Sequence, residues 1–145
     1  MQSERNLKIF VVDDDLFCLN MYQHYLETLG HDDVHLFQNG TDCLNQLTQD
    51  PAIIFLDHNM DTLNGFEVLK KIKRFNPNTN VVMVSGQEDL EPALNALKFG
   101  AFDYIIKGEQ VKDRMQNVIE RIVSLMEASS QRKPSLLKRI VSFSN

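Results

Sequence analysis

The chain has 145 residues, 43% of them hydrophobic and 24% charged, a composition that fits one compact globule and excludes a disordered tail. No run approaches the roughly 18 uncharged apolar residues of a membrane span, and the opening MQSERNLKIF lacks a signal-peptide apolar region, so transmembrane and secreted classes fall away and a cytoplasmic location is expected. Residues 1–128 carry 11 basic and 20 acidic side chains, a balance of −9, while 129–145 carry four basic and no acidic ones; an acidic body argues against nucleic acid as its main partner.

The first apolar run, Leu7–Val12, reads as a strand and ends in Asp13, Asp14 and Asp15. A helical pattern follows from about residue 15 to 29, with Leu19, Tyr22, Leu26 and Leu29 on one side and Gly30 as its stop. Val34–Phe37 is the second strand and about 40–49 the second helix. Ala52–Leu56 is the third strand, ending in Asp57, His58 and Asn59, with a helix over about 63–75. Val81–Val84 runs into Ser85 and Gly86. The helix after it covers about 88–99, with Leu90, Leu94 and Leu97 in register and Pro92 tolerated in its first turn. Phe102–Ile106 is the last strand and ends in Lys107. Val111, Met115, Val118, Ile122 and Leu125 then step by 4, 3, 4 and 3 along a fifth helix. Cys18 and Cys43 are too few for a disulfide scaffold or a zinc site and are expected as buried free thiols within helices.

Five strand–helix units in strict alternation predict an α/β fold: a doubly wound, five-stranded parallel sheet of order 2-1-3-4-5, flavodoxin-like, with helices on both faces. In such sheets ligands bind beyond the carboxyl ends of the strands, where strand order reverses. Asp13, Asp14, Asp57, Ser85 and Lys107 all fall at such ends. Taken singly each has a plain explanation: a solvated turn with a helix cap, a capping serine, a surface lysine. Together they crowd carboxylates whose mutual repulsion calls for a cation. Oxygen ligands of this kind suit Mg²⁺. An aspartate beside the ion could attack phosphorus to give an acyl phosphate, with Mg²⁺ and Lys107 offsetting charge and Ser85 bonding a phosphoryl oxygen.

Residues 9–14 (IFVVDD), 53–60 (IIFLDHNM), 81–85 (VVMVS) and 100–107 (GAFDYIIK) resemble, in order and spacing, the receiver domain of two-component response regulators over about residues 5–127. The order 2-1-3-4-5 belongs to the same family, so that expectation and this resemblance are not independent. The resemblance implies Asp57 as phosphoacceptor, Asp13 and Asp14 as the acidic pair for Mg²⁺, and the backbone carbonyl of Asn59 as a further ligand. It implies Ser85 as switch hydroxyl, Tyr104 as an aromatic rotamer switch that turns from exposed to buried, and Lys107 as the lysine that pairs with the phosphate. The phosphoryl donor would be a phosphohistidine on a sensor histidine kinase or histidine phosphotransfer protein, and the altered surface at helix 4 and strand 5 would bind an unidentified downstream protein. Such a module is not an enzyme beyond its own phosphorylation and dephosphorylation. Two departures stand out: Gly108 follows Lys107 where the family usually has proline, often cis, which predicts a trans peptide, and Asp61 stands where proline is common. In the family, residues such as Asn59 and Gln87 influence phosphoryl lifetime.

Residues 128–145 form a basic, partly amphipathic extension in which Pro134 is expected to end the fifth helix. Leu136, Leu137, Ile140 and Val141 would share a face beside Lys138 and Arg139. The readings for it are a docking helix for a partner or dimer, weak contact with an anionic membrane, or a floppy basic end. Two other classes fit less well than a switched binding module. A phosphohydrolase of the haloacid-dehalogenase type would carry a second aspartate where Asn59 stands. A nucleotide or flavin binder would carry a glycine-rich loop where Asp13–Asp15 stand.

Overall fold

The computed structural model describes residues 6–60, 63–86 and 90–144, with side chains as far as Ser130. Asp61, Gln87 and the side chains of the expected amphipathic face at 136–141 lie outside the described residues. The elements are β1 (Ile9–Val12), α1 (Leu16–Thr28), β2 (Val34–Phe37), α2 (Gly40–Leu44), β3 (Ile53–Asp57), α3 (Gly65–Phe75), β4 (Asn80–Ser85), α4 (Leu90–Lys98), β5 (Asp103–Ile106) and α5 (Val111–Ser144). The sheet order is β2-β1-β3-β4-β5 with every pairing parallel, as expected.

β1 and β3 are buried along their whole length, which explains their unbroken Val, Ile, Leu and Phe content. Phe10, Val12, Ile54, Leu56, Val81, Met83 and Tyr104 share one core cluster with Val68, Leu69 and Ile72 of α3 and Ala96 of α4. The strand residues between them point the other way. α1 contacts β1 and β2 and buries Leu19, Tyr22 and Leu26, none of which belongs to that cluster. The register pairs Val12 with Leu56, Asp57 with Val84 and Ser85 with Ile106, so β1, β3, β4 and β5 end at one rim.

Caps begin the helices where polar residues supply an acceptor. Asp15, Asn39 and Asn64 accept from the amides of Phe17, Asp42 and Glu67. At the far end of α1, Gly30 takes φ 97° and lets the amides of residues 30 and 31 close on Glu27 and Leu26.

Two expectations, for the second and fifth helices, need correction, and the fourth helix shows which way its stripe turns. The second helix stops at Leu44 and a short 3₁₀ turn covers Leu47–Gln49: Gln46, at φ −112° and ψ 12°, interrupts the helix between them, and Asp50, left-handed before Pro51, ends the turn. In α4 the leucine stripe faces outward: Leu90, Leu94 and Leu97 are 70%, 54% and 45% exposed, and Ala96 is the buried residue. Pro134 does not end the fifth helix, which runs to Ser144; a proline inside a helix forfeits one i−4 bond, and the leucine, lysine and arginine around it favour continuation.

The chain divides into two compact units, residues 1–115 and 116–145. The first holds the sheet, α1–α4 and the first turn of α5, where Val111 and Met115 are buried; the second is the rest of α5, in which Val118 and Ile122 are buried and Leu125 is exposed.

Candidate functional site

The three consecutive aspartates do three different jobs. Asp13 is buried, with Oδ1 accepting from the Asp15 amide at 2.9 Å, which sets its side chain at the rim. Asp14 is exposed on the rim itself. Asp15 is the α1 cap, so the plain explanation holds for that residue. Asp57 closes β3 and is 4% exposed. Oxygens of Asp13, Asp14 and Asp57 lie within 4.8 Å of one another.

Lys107, delivered by β5, places Nζ 3.2 Å from Asp13 Oδ2 and 3.2 Å from Asp57 Oδ1. Those same two oxygens receive no well-directed hydrogen bond among the described residues. Charge is offset by the ammonium, but the oxygens' directional acceptor capacity is not used. Burial, then the negative charge of Asp13, pushes Asp57 up to about 6, even though Lys107 pulls the other way. Burial also opposes the charge on Lys107, but attraction from Asp57 and Asp13 outweighs it and holds the ammonium above the usual lysine range. The protein therefore places one permanent cation among carboxylates it cannot fully satisfy. A hard, oxygen-seeking divalent ion suits that donor set: oxygen-only ligands, two of them buried and underused.

The rim is held by backbone bonds between neighbouring strands. The Asp13 amide donates to the Phe37 carbonyl, the His58 amide to the Val84 carbonyl and the Lys107 amide to the Ser85 carbonyl. Ser85 is fully buried at the end of β4. Tyr104 is 9% exposed, with its hydroxyl buried and unpaired among the described residues. Asn59 is exposed just beyond β3. No cis peptide occurs among the described residues, in keeping with Gly108 after Lys107.

Sequence reasoning brought Asp13, Asp14, Asp57, Ser85 and Lys107 to one rim and missed three neighbours. Gly65 opens α3 so close to β3 that a Cβ would fall on the Asp57 carbonyl oxygen and the His58 Cα, while its amide donates to the His58 carbonyl at 2.9 Å. A glycine directly after a helix-capping asparagine was the available signal. Tyr22, read only as an apolar-stripe residue, has its phenol pushed far up by burial, with Cys18, Asp13 and Asp57 adding to the effect. Cys18 is half-exposed rather than buried, its Sγ donating to Asp15 Oδ2 at 3.6 Å; Cys43 is the buried thiol.

Comparison with known proteins points one way. The response regulator receiver domain model matches residues 9–120. The transcriptional regulatory protein ZraR of Salmonella typhimurium (strain LT2) is 32% identical over 130 residues, covering 89% of this chain. The chain spans about 30% of the length of the ZraR proteins it matches. A chemotaxis protein CheY homolog of Campylobacter jejuni (strain 81-176) is 29% identical over 120 residues, covering 78% of this chain and 92% of that protein. Among solved structures, the receiver domain of NtrX from Brucella abortus superposes with a TM-score of 0.73 at 31% identity, covering 80% of this chain and 98% of that one. A BeF3-activated DrrB receiver domain does so with a TM-score of 0.74 at 29% identity, covering 83% and 99%.

Proposed function

The chain belongs to the response regulator receiver domain family of two-component signalling, and from that premise we propose that residues 5–127 form a module switched by phosphorylation of Asp57. The carrying observation is the buried Asp57 carboxylate at a rim where Lys107 sits 3.2 Å from it and from Asp13, with an oxygen of each lacking a directed hydrogen bond.

An oxygen of Asp57 attacks the phosphorus of a phosphohistidine carried by a sensor kinase or phosphotransfer protein. The new P–O bond forms as the P–N bond breaks, and the imidazole leaves with the electron pair. A Mg²⁺ ion held by Asp13, Asp14, Asp57 and the Asn59 carbonyl would offset charge on the transferring group and keep Asp57 ionised. Lys107, already aimed between Asp13 and Asp57, pairs with the phosphoryl oxygens. Ser85, at the end of β4, donates its hydroxyl to another. Tyr104 and Ser85 lie on paired strands, where Ser85 faces Ile106 and Met83 faces Tyr104 in register. Movement of the Ser85 hydroxyl therefore alters the packing beneath α4 and β5, and that face meets a downstream protein. The module transforms only itself and works in the cytoplasm; the helical extension at 128–145 is a separate contact element.

Acetyl phosphate with Mg²⁺ tests the assignment. Acid-labile phosphate enters the intact protein once per chain, and Asp57→Asn abolishes incorporation while leaving the circular dichroism unchanged. Undiminished labelling of Asp57→Asn would overturn the phosphoacceptor; many turnovers of added substrate by the unaltered chain, rather than a stop after one phosphoryl group, would indicate a hydrolase instead.

A further inference from the structure

The acidic body carries one concentrated basic feature. Of the 11 basic residues in 1–128, five are Lys70, Lys71, Lys73, Arg74 and Lys98, while α3 itself holds a single acid, Glu67, in its first turn. Two of them, Lys70 and Lys73, are held against the end of α4. Phe66 of α3 meets Phe99, just past α4, edge to face at 5.0 Å. Lys70 Nζ lies 5.0 Å from the Phe66 ring centre and 5.8 Å from that of Phe99, which fixes its ammonium over an aromatic pair. Lys73 spends its charge on structure: Nζ donates to the Pro77 and Thr79 carbonyls at 2.7 and 2.8 Å, and its stem lies against Gly100. Lys70, Lys71, Arg74 and Lys98 remain exposed; Phe99, on the α4 side, is 44% exposed, and Phe75, half a turn round α3 from Phe66, is 58% exposed on the other flank of that basic face.

This ridge is at the opposite end of the sheet from Asp57. α3 starts at the carboxyl end of β3 and runs back to the turn that enters β4, and Gly100 precedes β5. A basic helix face edged by Phe99 on one flank and Phe75 on the other forms an anion-binding surface with apolar anchors. A membrane or a nucleic acid would lay extended negative charge over the acidic surface surrounding the patch, within a Debye length of it, on a body whose balance is −9. A short acidic segment meets only the ridge.

We propose that the α3–α4 ridge docks an acidic protein segment bearing apolar side chains: carboxylates pair with Lys70, Lys71, Arg74 and Lys98, and the apolar groups cover Phe75 and Phe99. Docking needs no phosphoryl group, so it stands or falls apart from the Asp57 assignment.

A fluorescein-labelled synthetic peptide in which glutamates alternate with leucine and phenylalanine is titrated onto the full chain. Binding is saturable, weakens as salt rises, and is at least about tenfold weaker in the exposed-charge variant Lys71→Glu/Arg74→Glu/Lys98→Glu, which still labels with acetyl phosphate. The neutral version, Lys71→Gln/Arg74→Gln/Lys98→Gln, loses less affinity, and it replaces the reversal variant if that one misfolds. Equal peptide affinity in wild type and variant overturns the proposal. So does binding of phosphatidylglycerol vesicles or a single-stranded oligonucleotide that is tighter than the peptide's and is lost in the same charge variant, or sedimentation showing that the ridge binds a second copy of the chain.

Discussion

α3 and α4 are adjacent helices of similar length that use their apolar residues in opposite ways. α3 buries Val68, Leu69 and Ile72 and sends its lysines outward. α4 turns Leu90, Leu94 and Leu97 outward and buries Ala96. The small residues belong inside because the space beneath α4 is taken by large ones: Tyr104 and Met83 share the core cluster with Ala96 and Ala101. A well-packed interior has no room for both a buried tyrosine and a leucine stripe over it. α3 therefore gives its apolar residues to the core and its charges to solvent, whereas α4 leaves its leucines exposed.

The largest effect should separate the two helices directly. Leu69→Ala should cost about 3 kcal/mol in denaturant unfolding, from lost burial and the cavity left behind, whereas Leu94→Ala should cost under about 1 kcal/mol. Equal costs would mean that α4 packs its leucines and the contrast fails. Next comes Gly65→Ala. The added methyl meets backbone at Asp57 and His58 rather than a yielding side chain, so α3 must move; a loss of about 2 kcal/mol is expected together with slower acetyl phosphate labelling. Unchanged labelling with lost stability would limit the glycine to packing.

A comparable effect comes from charge. Asp57 stands at about 6 in the folded protein against an ordinary 3.8, so folded chains retain a proton that unfolded chains release. That contribution to stability is complete below about pH 4 and is lost as pH rises through about 6. Without divalent ions, Asp57→Asn should therefore gain on the order of 2 kcal/mol over wild type at pH 7 and almost nothing at pH 4, and Mg²⁺ should narrow the gap at pH 7. A pH-independent difference would show that crowding of Asp57 does not burden the fold. The smallest effect is expected from Lys70→Ala, a loss of about 0.5 kcal/mol, because the cation over Phe66 and Phe99 is exposed.

Much of this molecule was legible before any coordinates. Unbroken Val, Ile and Phe runs identified β1, β3 and β4 because strands covered on both faces need no alternation. Chain order then placed Asp13, Asp57, Ser85 and Lys107 at strand ends. Residues whose role depends on a neighbour distant in sequence were not legible. Gly65 matters through the Asp57 backbone, Tyr22 through carboxylates on other strands, and Lys70 through Phe99.

By itself the sequence determined the alternation of strands and helices, the polar set at the sheet's carboxyl rim and the basic character of the final residues, because periodicity and charge are local properties. Tertiary structure alone decided which stripe of α4 turns inward, that one ammonium stands 3.2 Å from two buried carboxylates, and that the basic end of α3 meets an aromatic pair. Those outcomes depend on competition for a fixed interior volume and on distances across the sheet, to which no window along the chain has access.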